Sequence, residues 1–151
     1  MNTPWYQVVI STEPTSNNLS KIMKMIVDHL KLNFIILNDI QGNGENWLIH
    51  ILQNHEDHPL RIKDFMSMLN DVHRFEWGDF FLFQSYPENW GSPERCDYSF
   101  LINQTDTTLR AIDQGYIYIY TPDELIVQKI KENSDIESFK IDSLDRLDYP
   151  Y

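Results

Sequence analysis

The sequence predicts an α+β fold, in which a mainly antiparallel sheet of about five to seven strands is covered by two or three helices. Two observations lead to this fold class: short strand-like runs follow one another as hairpins, and segments with helical spacing are scattered among them. With five glycines and seven prolines in 151 residues, the chain has no linker-like stretch. Residues 1–151 are therefore expected to form a single domain that is large enough to bury a core.

The first third of the chain is predicted to contain three strands and one helix. Residues 5–10 (WYQVVI) form a strand-like run, and apolar side chains recur at three- and four-residue spacing in residues 19–30, behind Ser and Asn capping candidates. Residues 33–37 and 47–52 are two further apolar runs. Because the polar, glycine-containing residues 41–46 separate them, these two runs are predicted to pair as a hairpin.

The central part of the chain is predicted to contain one helix and three strands. Pro59 suits the first turn of a second helix, which has one apolar face. The continuous run 80–83 (FFLF) predicts a central strand or a strand that lies under a helix. Residues 86–97, with two prolines and a glycine, are expected to form a loop. Residues 98–102 and 108–112 are then expected to be strands.

The last part of the chain changes from strand to helix. Residues 116–120 (YIYIY) alternate without a break, so that three tyrosines share one face of a strand and two isoleucines share the other. Thr121 offers an N-cap before Pro122 at the first helical position, and residues 125–130 supply the buried side of a helix. Residues 136–141 are expected to form a final edge strand.

The formal net charge is −11, and the acids are concentrated in the second half of the chain. Residues 1–75 carry six Lys and Arg against eight Asp and Glu, whereas residues 76–151 carry six against fifteen. This surplus of acids disfavours direct binding to nucleic acid and to anionic lipid, and it favours a basic protein partner. The alternative is that the acidic surface serves only to keep the protein in solution.

No motif in the sequence indicates catalysis or a bound cofactor. His50, His55 and His58 lie near acids, but their spacing fits no standard zinc site, so exposed loop histidines are expected. Cys96 has no evident histidine partner and is expected to be an ordinary loop thiol. We therefore expect neither an enzyme nor a metal or cofactor site.

The cellular compartment is also expected from the sequence. No basic and apolar leader of the kind that secretion requires precedes the first predicted strand, and no apolar run approaches membrane-spanning length. A single cysteine fits a reducing environment. These features predict a cytoplasmic protein that does not bind membranes.

Aromatic side chains interleaved with acids form the candidate contact surface. Aromatic anchors bring a large contact area at a small entropy cost, and acids around them suit a cationic partner. The predicted partner-binding residues are Glu76, Trp77, Asp79, Tyr86, Glu88, Trp90, Tyr116, Tyr118 and Tyr120. Two alternatives stay open: the tyrosines also fit a position under a helix, and the acids also fit the solvent-facing ends of an apolar strand.

Three segments carry a resemblance to a functional class of proteins. They are residues 77–81 (WGDFF), residues 113–125, which form a predicted turn, strand and capped helix, and residues 147–150 (LDYP). With its small size and acidic charge, the chain resembles the bacterial immunity proteins that neutralise polymorphic or contact-dependent toxins. Such proteins have many unrelated folds, so the resemblance assigns no site residue.

The resemblance implies a mechanism that the composition permits. The implied partner is a cognate toxin of the nuclease type, whose basic active-site cleft is covered by the acidic and aromatic surface of a monomer or weak dimer. Two other functions remain open at this stage: an acidic nucleic-acid mimic that inhibits a DNA- or RNA-binding protein, and a small ligand-binding or enzyme domain.

Overall fold

The computed structural model describes residues 5–92, 98–133 and 139–144, which build one sheet with helices on both of its faces. The seven strands among these residues are β1 (Trp5–Ile10), β2 (Phe34–Gly44), β3 (Leu60–Arg61), β4 (Val72–Phe83), β5 (Thr107–Ile112), β6 (Tyr116–Thr121) and β7 (Phe139–Leu144). Their spatial order is β3-β2-β4-β5-β6-β1-β7, and each pair of neighbours is antiparallel. The predicted α+β fold with a mainly antiparallel sheet is confirmed.

Five helices are found among the described residues, and two of them were not predicted. They are α1 (Ser16–Leu30), α2 (Leu48–Asn54), α3 (Ile62–Met68), α4 (Tyr98–Gln104) and α5 (Glu124–Asn133); a short 3-10 turn, Leu69–Asp71, follows α3. The predicted strands at 47–52 and 98–102 are wrong, because α2 and α4 occupy these segments. Short apolar runs fit a buried strand and a short helix equally well, so spacing alone did not separate the two.

The predicted hairpin of residues 33–37 with 47–52 is also wrong. Strand β2 continues to Gly44, through the segment predicted as a turn, and its antiparallel partner is β4. The last helix begins later than predicted: Asp123 Oδ1 accepts a hydrogen bond from the Ile126 N–H at 2.8 Å, which makes Asp123 the N-cap instead of Thr121. Cys96, residues 136–138 and residues 147–150 lie outside the described residues.

One face of the sheet, called the helix face below, is packed under α1, α2, α3 and α5. Its core consists of aliphatic and phenylalanine side chains, which the sheet strands and the four helices contribute together. Helix α1 is anchored by Thr15, whose Oγ1 accepts from the Asn18 N–H at 3.2 Å. From α1, the buried residues are Leu19, Ile22, Met23 and Ile26, which have the three- and four-residue spacing predicted from the sequence.

The opposite face, called the aromatic face below, has a smaller core. Phe81, Phe83 and Tyr120 pack there with Leu101 from α4. The run 80–83 divides between the two cores, because Phe80 and Leu82 face the helices while Phe81 and Phe83 face the other side. All four side chains are buried, which confirms the prediction of a central strand.

Candidate functional site

A row of polar side chains crosses the middle of the aromatic face. The strand registers place Asn38 of β2 beside Asp79 of β4, Asp79 beside Arg110 of β5, and Arg110 beside Tyr118 of β6. Side chains directly opposite each other on neighbouring strands are close enough to interact. The row therefore connects four strands through polar groups in the part of the sheet where most neighbours are aromatic.

Asp79 and Arg110 form a buried ion pair at the centre of this row. Arg110 Nε donates to Asp79 Oδ1 at 2.7 Å, and the exposed fractions of the two residues are 1% and 6%. The Trp77 ring lies over the guanidinium at 5.4 Å from its centroid, which adds a cation–π contact. Arg110 thus fixes the position of Trp77 on the sheet.

The phenol of Tyr120 lies next to the same guanidinium. Burial raises the pKa of Tyr120 above its ordinary value of 10.0, and the charge and hydrogen bonding of Arg110 oppose that rise. The phenol is therefore neutral at physiological pH and acts as a hydrogen-bonding group under the surface. The tyrosine ladder is graded along β6: Tyr120 is buried, Tyr118 is half-buried and Tyr116 is exposed.

Three acids meet beside one end of the polar row and are called the acidic cluster below: Asp39, Glu56 and Asp57. Burial raises the pKa of Glu56; backbone hydrogen bonds from Ile40 and Asp39 lower it, and the charges of Asp39 and Asp57 raise it further. The carboxylates are therefore close enough to repel one another. Clustered acids of this kind favour the approach of a cation.

Hydrogen bonds hold the acidic cluster in place. The Ile40 N–H donates to Glu56 Oε1 at 3.2 Å, and Asn38 Nδ2 donates to Asp57 Oδ1 at 2.9 Å. Trp90 Nε1 also donates to Asp57 Oδ1, at 3.4 Å. Through Asn38 and Asp57, the acidic cluster is joined to the polar row and to Trp90.

Trp90 anchors the loop that follows β4 onto the aromatic face. Its ring centroid lies 5.2 Å from that of Phe81, 5.9 Å from that of Phe83 and 5.5 Å from that of Phe100. One side of Trp90 is therefore buried while the residue as a whole stays partly exposed. Glu88, two residues earlier in the same loop, is exposed. The acidic cluster, Glu88 and Trp90 together are called the acidic-aromatic surface below.

Two irregularities in the β2–β4 ladder shape this region. Between the pairs Asn38–Asp79 and Gln41–Trp77, strand β2 has one extra residue, and there Asp39 adopts a left-handed φ of 55°. In the next step of the ladder the extra residue is Glu76, on β4. Extra residues of this kind bend a strand and change the direction of side chains, and they are common next to functional sites.

The predicted contact residues are distributed over the aromatic face and its edge. Trp77, Asp79, Tyr118 and Tyr120 meet at Arg110, whereas Tyr86 lies at the start of β2, where its ring centroid is 5.3 Å from that of Phe34. Asp79 was predicted as a contact residue, with a solvent-facing strand end as the alternative, but the structure buries it as the counter-ion of Arg110. Asp79 and Tyr120 therefore cannot contact a partner directly, and they affect binding only by positioning their neighbours. Glu76 is half-buried, and its backbone carbonyl accepts from the Gln114 N–H at 3.1 Å.

Several residues of the site were not singled out from the sequence. They are Asn38, Asp39, Arg110 and, in the role found here, Glu56 and Asp57. The last two were noticed only as neighbours of histidines, and within the described ranges no group of three His, Cys, Asp or Glu is arranged to hold a metal ion. The sequence marks Glu56 and Asp57 only as part of a short polar segment between two apolar runs. It does not show that this segment packs against β2, where the two acids find their partners.

In the part of the chain that the structure describes, no helix combines the length and the apolar character needed to cross a bilayer. Comparison of the chain with protein-family models, with curated proteins and with solved structures gave no match.

Proposed function

We propose that the chain is an immunity protein, which binds a cognate toxin domain and covers its basic active-site cleft with the acidic-aromatic surface. The single observation that supports this most strongly is the fixed position of the acidic cluster beside Trp90. The charges of Asp39 and Asp57 act on the carboxyl group of Glu56, and Asp57 accepts hydrogen bonds from both Asn38 and Trp90. Fixed acids around an aromatic anchor suit a cationic protein surface.

The electrostatics of the acidic cluster support a cationic partner. Burial and two neighbouring carboxylates raise the pKa of Glu56, so its ionised form is disfavoured in the unbound protein. A lysine or arginine placed against the cluster would remove that disadvantage. Because hydrogen bonds already hold Glu56 and Asp57, little conformational entropy would be lost on binding.

The tyrosine end of the aromatic face extends the proposed contact area. Trp77 and Tyr118 are partly exposed and Tyr116 is exposed, and they continue the surface along β4 and β6. Asp79 and Tyr120 lie beneath them and hold them through Arg110. A toxin nuclease that degrades cytoplasmic nucleic acid must be neutralised in the cytoplasm, so the proposal includes that location.

The proposal is tested with the products of the reading frames next to the gene for this chain. Each product is expressed in a bacterial host with and without the chain, and growth is recorded. One product should arrest growth, and the chain should restore it and form a stoichiometric complex with an inactivated form of that product. If no neighbouring product is both toxic and rescued, the immunity proposal is wrong.

The contact surface is tested separately with a triple variant in which neutral amides replace three acids: Asp39→Asn, Glu56→Gln and Glu88→Gln. Asn suits the left-handed φ of residue 39, and Gln keeps the acceptor oxygen that Glu56 offers to Ile40. The affinity for the toxin should fall by about tenfold or more. The matched control removes three charges from exposed acids of α3 and α5: Asp64→Asn, Glu124→Gln and Glu132→Gln. Equal affinities of the two variants would show that the acidic-aromatic surface is not the contact.

A further inference from the structure

A groove of about 680 Å³ lies between the second half of α1 and the junction of β3 with α3. Its volume is in the range of small-molecule sites. Val27, Leu32 and Ile62 supply apolar lining, and Phe34 lies at the start of β2 beside them. None of these residues belongs to the acidic-aromatic surface, so the groove is a separate feature of the molecule.

The charges around the groove are opposite to the charge of the whole chain. Lys24, Arg61 and Lys63 line it, and all three are exposed. None of the three is in an ion pair with a residue of the described ranges. Asp28 is the acid among the lining residues. A net positive rim on a protein of charge −11 attracts an anion.

The walls of the groove are held by backbone and side-chain hydrogen bonds. The Ile62 N–H donates to the Asn33 carbonyl at 2.9 Å, and Asn33 Nδ2 donates to the Gln84 carbonyl at 2.9 Å. Helix α1 ends at Leu30, and its C-cap Lys31 has a left-handed φ of 55° and turns the chain into Leu32. The groove is thus formed before any ligand enters, which lowers the entropic cost of binding.

We propose that this groove binds an amphiphilic carboxylate, with its apolar chain on Val27, Leu32 and Ile62 and its carboxylate at the cationic rim. An apolar lining alone would accept any hydrophobic molecule. The three cations select a ligand with one anionic end, since they attract carboxylates and repel amphiphilic cations. Arginine and lysine at the rim also supply the hydrogen-bond donors that a carboxylate accepts.

The test uses decanoate below its micellar concentration, with decyltrimethylammonium and acetate as comparison ligands. Binding is followed by NMR of protein labelled at the methionine and isoleucine methyl groups. Decanoate should shift the methyl signals of Met66 and Ile62, which line the groove. The methyl signal of Ile117, a buried residue of β6, should stay unchanged. Acetate, which has no chain, and the cationic amphiphile should produce no saturable shift at the same positions.

The variant Arg61→Gln/Lys63→Gln should weaken decanoate binding by about tenfold or more, since it removes two of the three rim charges. The matched control, Lys21→Gln/Lys131→Gln, removes two exposed charges elsewhere and should bind as the parent does. Equal affinity of the two double variants, equal binding of the cationic amphiphile, or shifts that do not localise to Met66 and Ile62 would each overturn the proposal. These results do not depend on toxin rescue, so the two proposals fail separately.

Discussion

The two faces of the sheet bury their residues in different ways. On the helix face, aliphatic side chains such as Val8 and Ile119 are fully buried, and among the described residues no buried charged side chain lies in that core. On the aromatic face, burial depends on ring contacts and on the Asp79–Arg110 ion pair. The helix face stabilises the protein, because the transfer of each apolar side chain out of water lowers the free energy of the folded state.

The ion pair of the aromatic face is harder to explain by stability. Removing two charges from water costs several kcal/mol, and apolar residues of similar volume often serve as well or better. The pair does have a geometric consequence, since Arg110 holds Trp77 and Tyr120 in fixed positions. The polar row thus contributes to the placement of aromatic residues near the surface, whereas the helix face contributes mainly to the stability of the fold.

The largest expected effect is on the helix face, from Phe80→Ala. Phe80 is fully buried, and its ring lies 5.2 Å from that of Phe75 and 5.7 Å from that of Phe65. Its truncation should lower the free energy of unfolding by roughly 3–5 kcal/mol, measured by urea denaturation. On the aromatic face, Tyr116→Ala should cost less than about 1 kcal/mol, because Tyr116 is exposed. Similar losses at the two positions would contradict the distinction between the faces.

The next effect tests the ion pair itself. Asp79→Asn should lower the free energy of unfolding by about 3 kcal/mol, because it leaves the guanidinium of Arg110 buried without its counter-ion. The double replacement Asp79→Leu/Arg110→Met should recover most of that loss, to within about 1 kcal/mol of the parent. The double variant should nevertheless bind the toxin more weakly than the parent does, because Trp77 loses the cation beneath its ring. A double variant that binds normally would show that the ion pair does not place the contact residues.

The parts of the fold that could be predicted from the sequence are those in which periodicity is long and unbroken. Residues 116–120 alternate, and Ile117 and Ile119 are indeed fully buried on the helix face while the tyrosines share the other face. Helix α1 likewise buries the residues that its spacing indicated. In both elements the burial pattern follows from the geometry of a single strand or helix.

The parts that could not be predicted depend on contacts between distant segments. Arg110 is an ordinary charged residue within TTLRAI, and only the β4–β5 register places it against Asp79, which is 31 residues away. The acidic cluster depends in the same way on the segment after α2 returning to β2, where Ile40 and Asn38 hold Glu56 and Asp57. Such pairings are a property of the assembled sheet, and local spacing carries no information on them.

A smaller effect is expected at Trp47, which belongs to neither face of the sheet. Trp47 is 84% exposed, precedes α2 with a left-handed φ of 60°, and makes no side-chain capping hydrogen bond. Trp47→Asn should raise the free energy of unfolding by roughly 0.5–1 kcal/mol, because asparagine adopts this left-handed φ more readily than tryptophan does. The control Trp47→Ala removes the same ring, but alanine does not favour a left-handed φ, so this variant should not be more stable than the parent. Thermal denaturation of the two variants measures the difference, and equal midpoints would contradict the backbone explanation.

The smallest effect concerns Glu56, at the end of the polar row. Burial raises its pKa above the ordinary value of 4.5, so the folded state holds the proton more tightly than the unfolded state does. Stability should therefore fall as the pH rises through the range just above that value, and it should regain this contribution below it. The free energy of unfolding is measured by denaturation of the parent and of Glu56→Gln over that pH range. The part of its decrease that comes from Glu56 should be present in the parent and absent from the variant.

The same carboxylate connects the pH dependence to the proposed function. A cation placed against the acidic cluster lowers the pKa of Glu56, so binding of a basic partner should release protons at a pH near the raised value. Calorimetric titrations in two buffers of different ionisation enthalpy measure this release. The parent should release protons and the Glu56→Gln variant should release fewer, because only a titrating carboxylate contributes. Equal release from both would mean that the partner does not contact the acidic cluster, even if it binds elsewhere on the aromatic face.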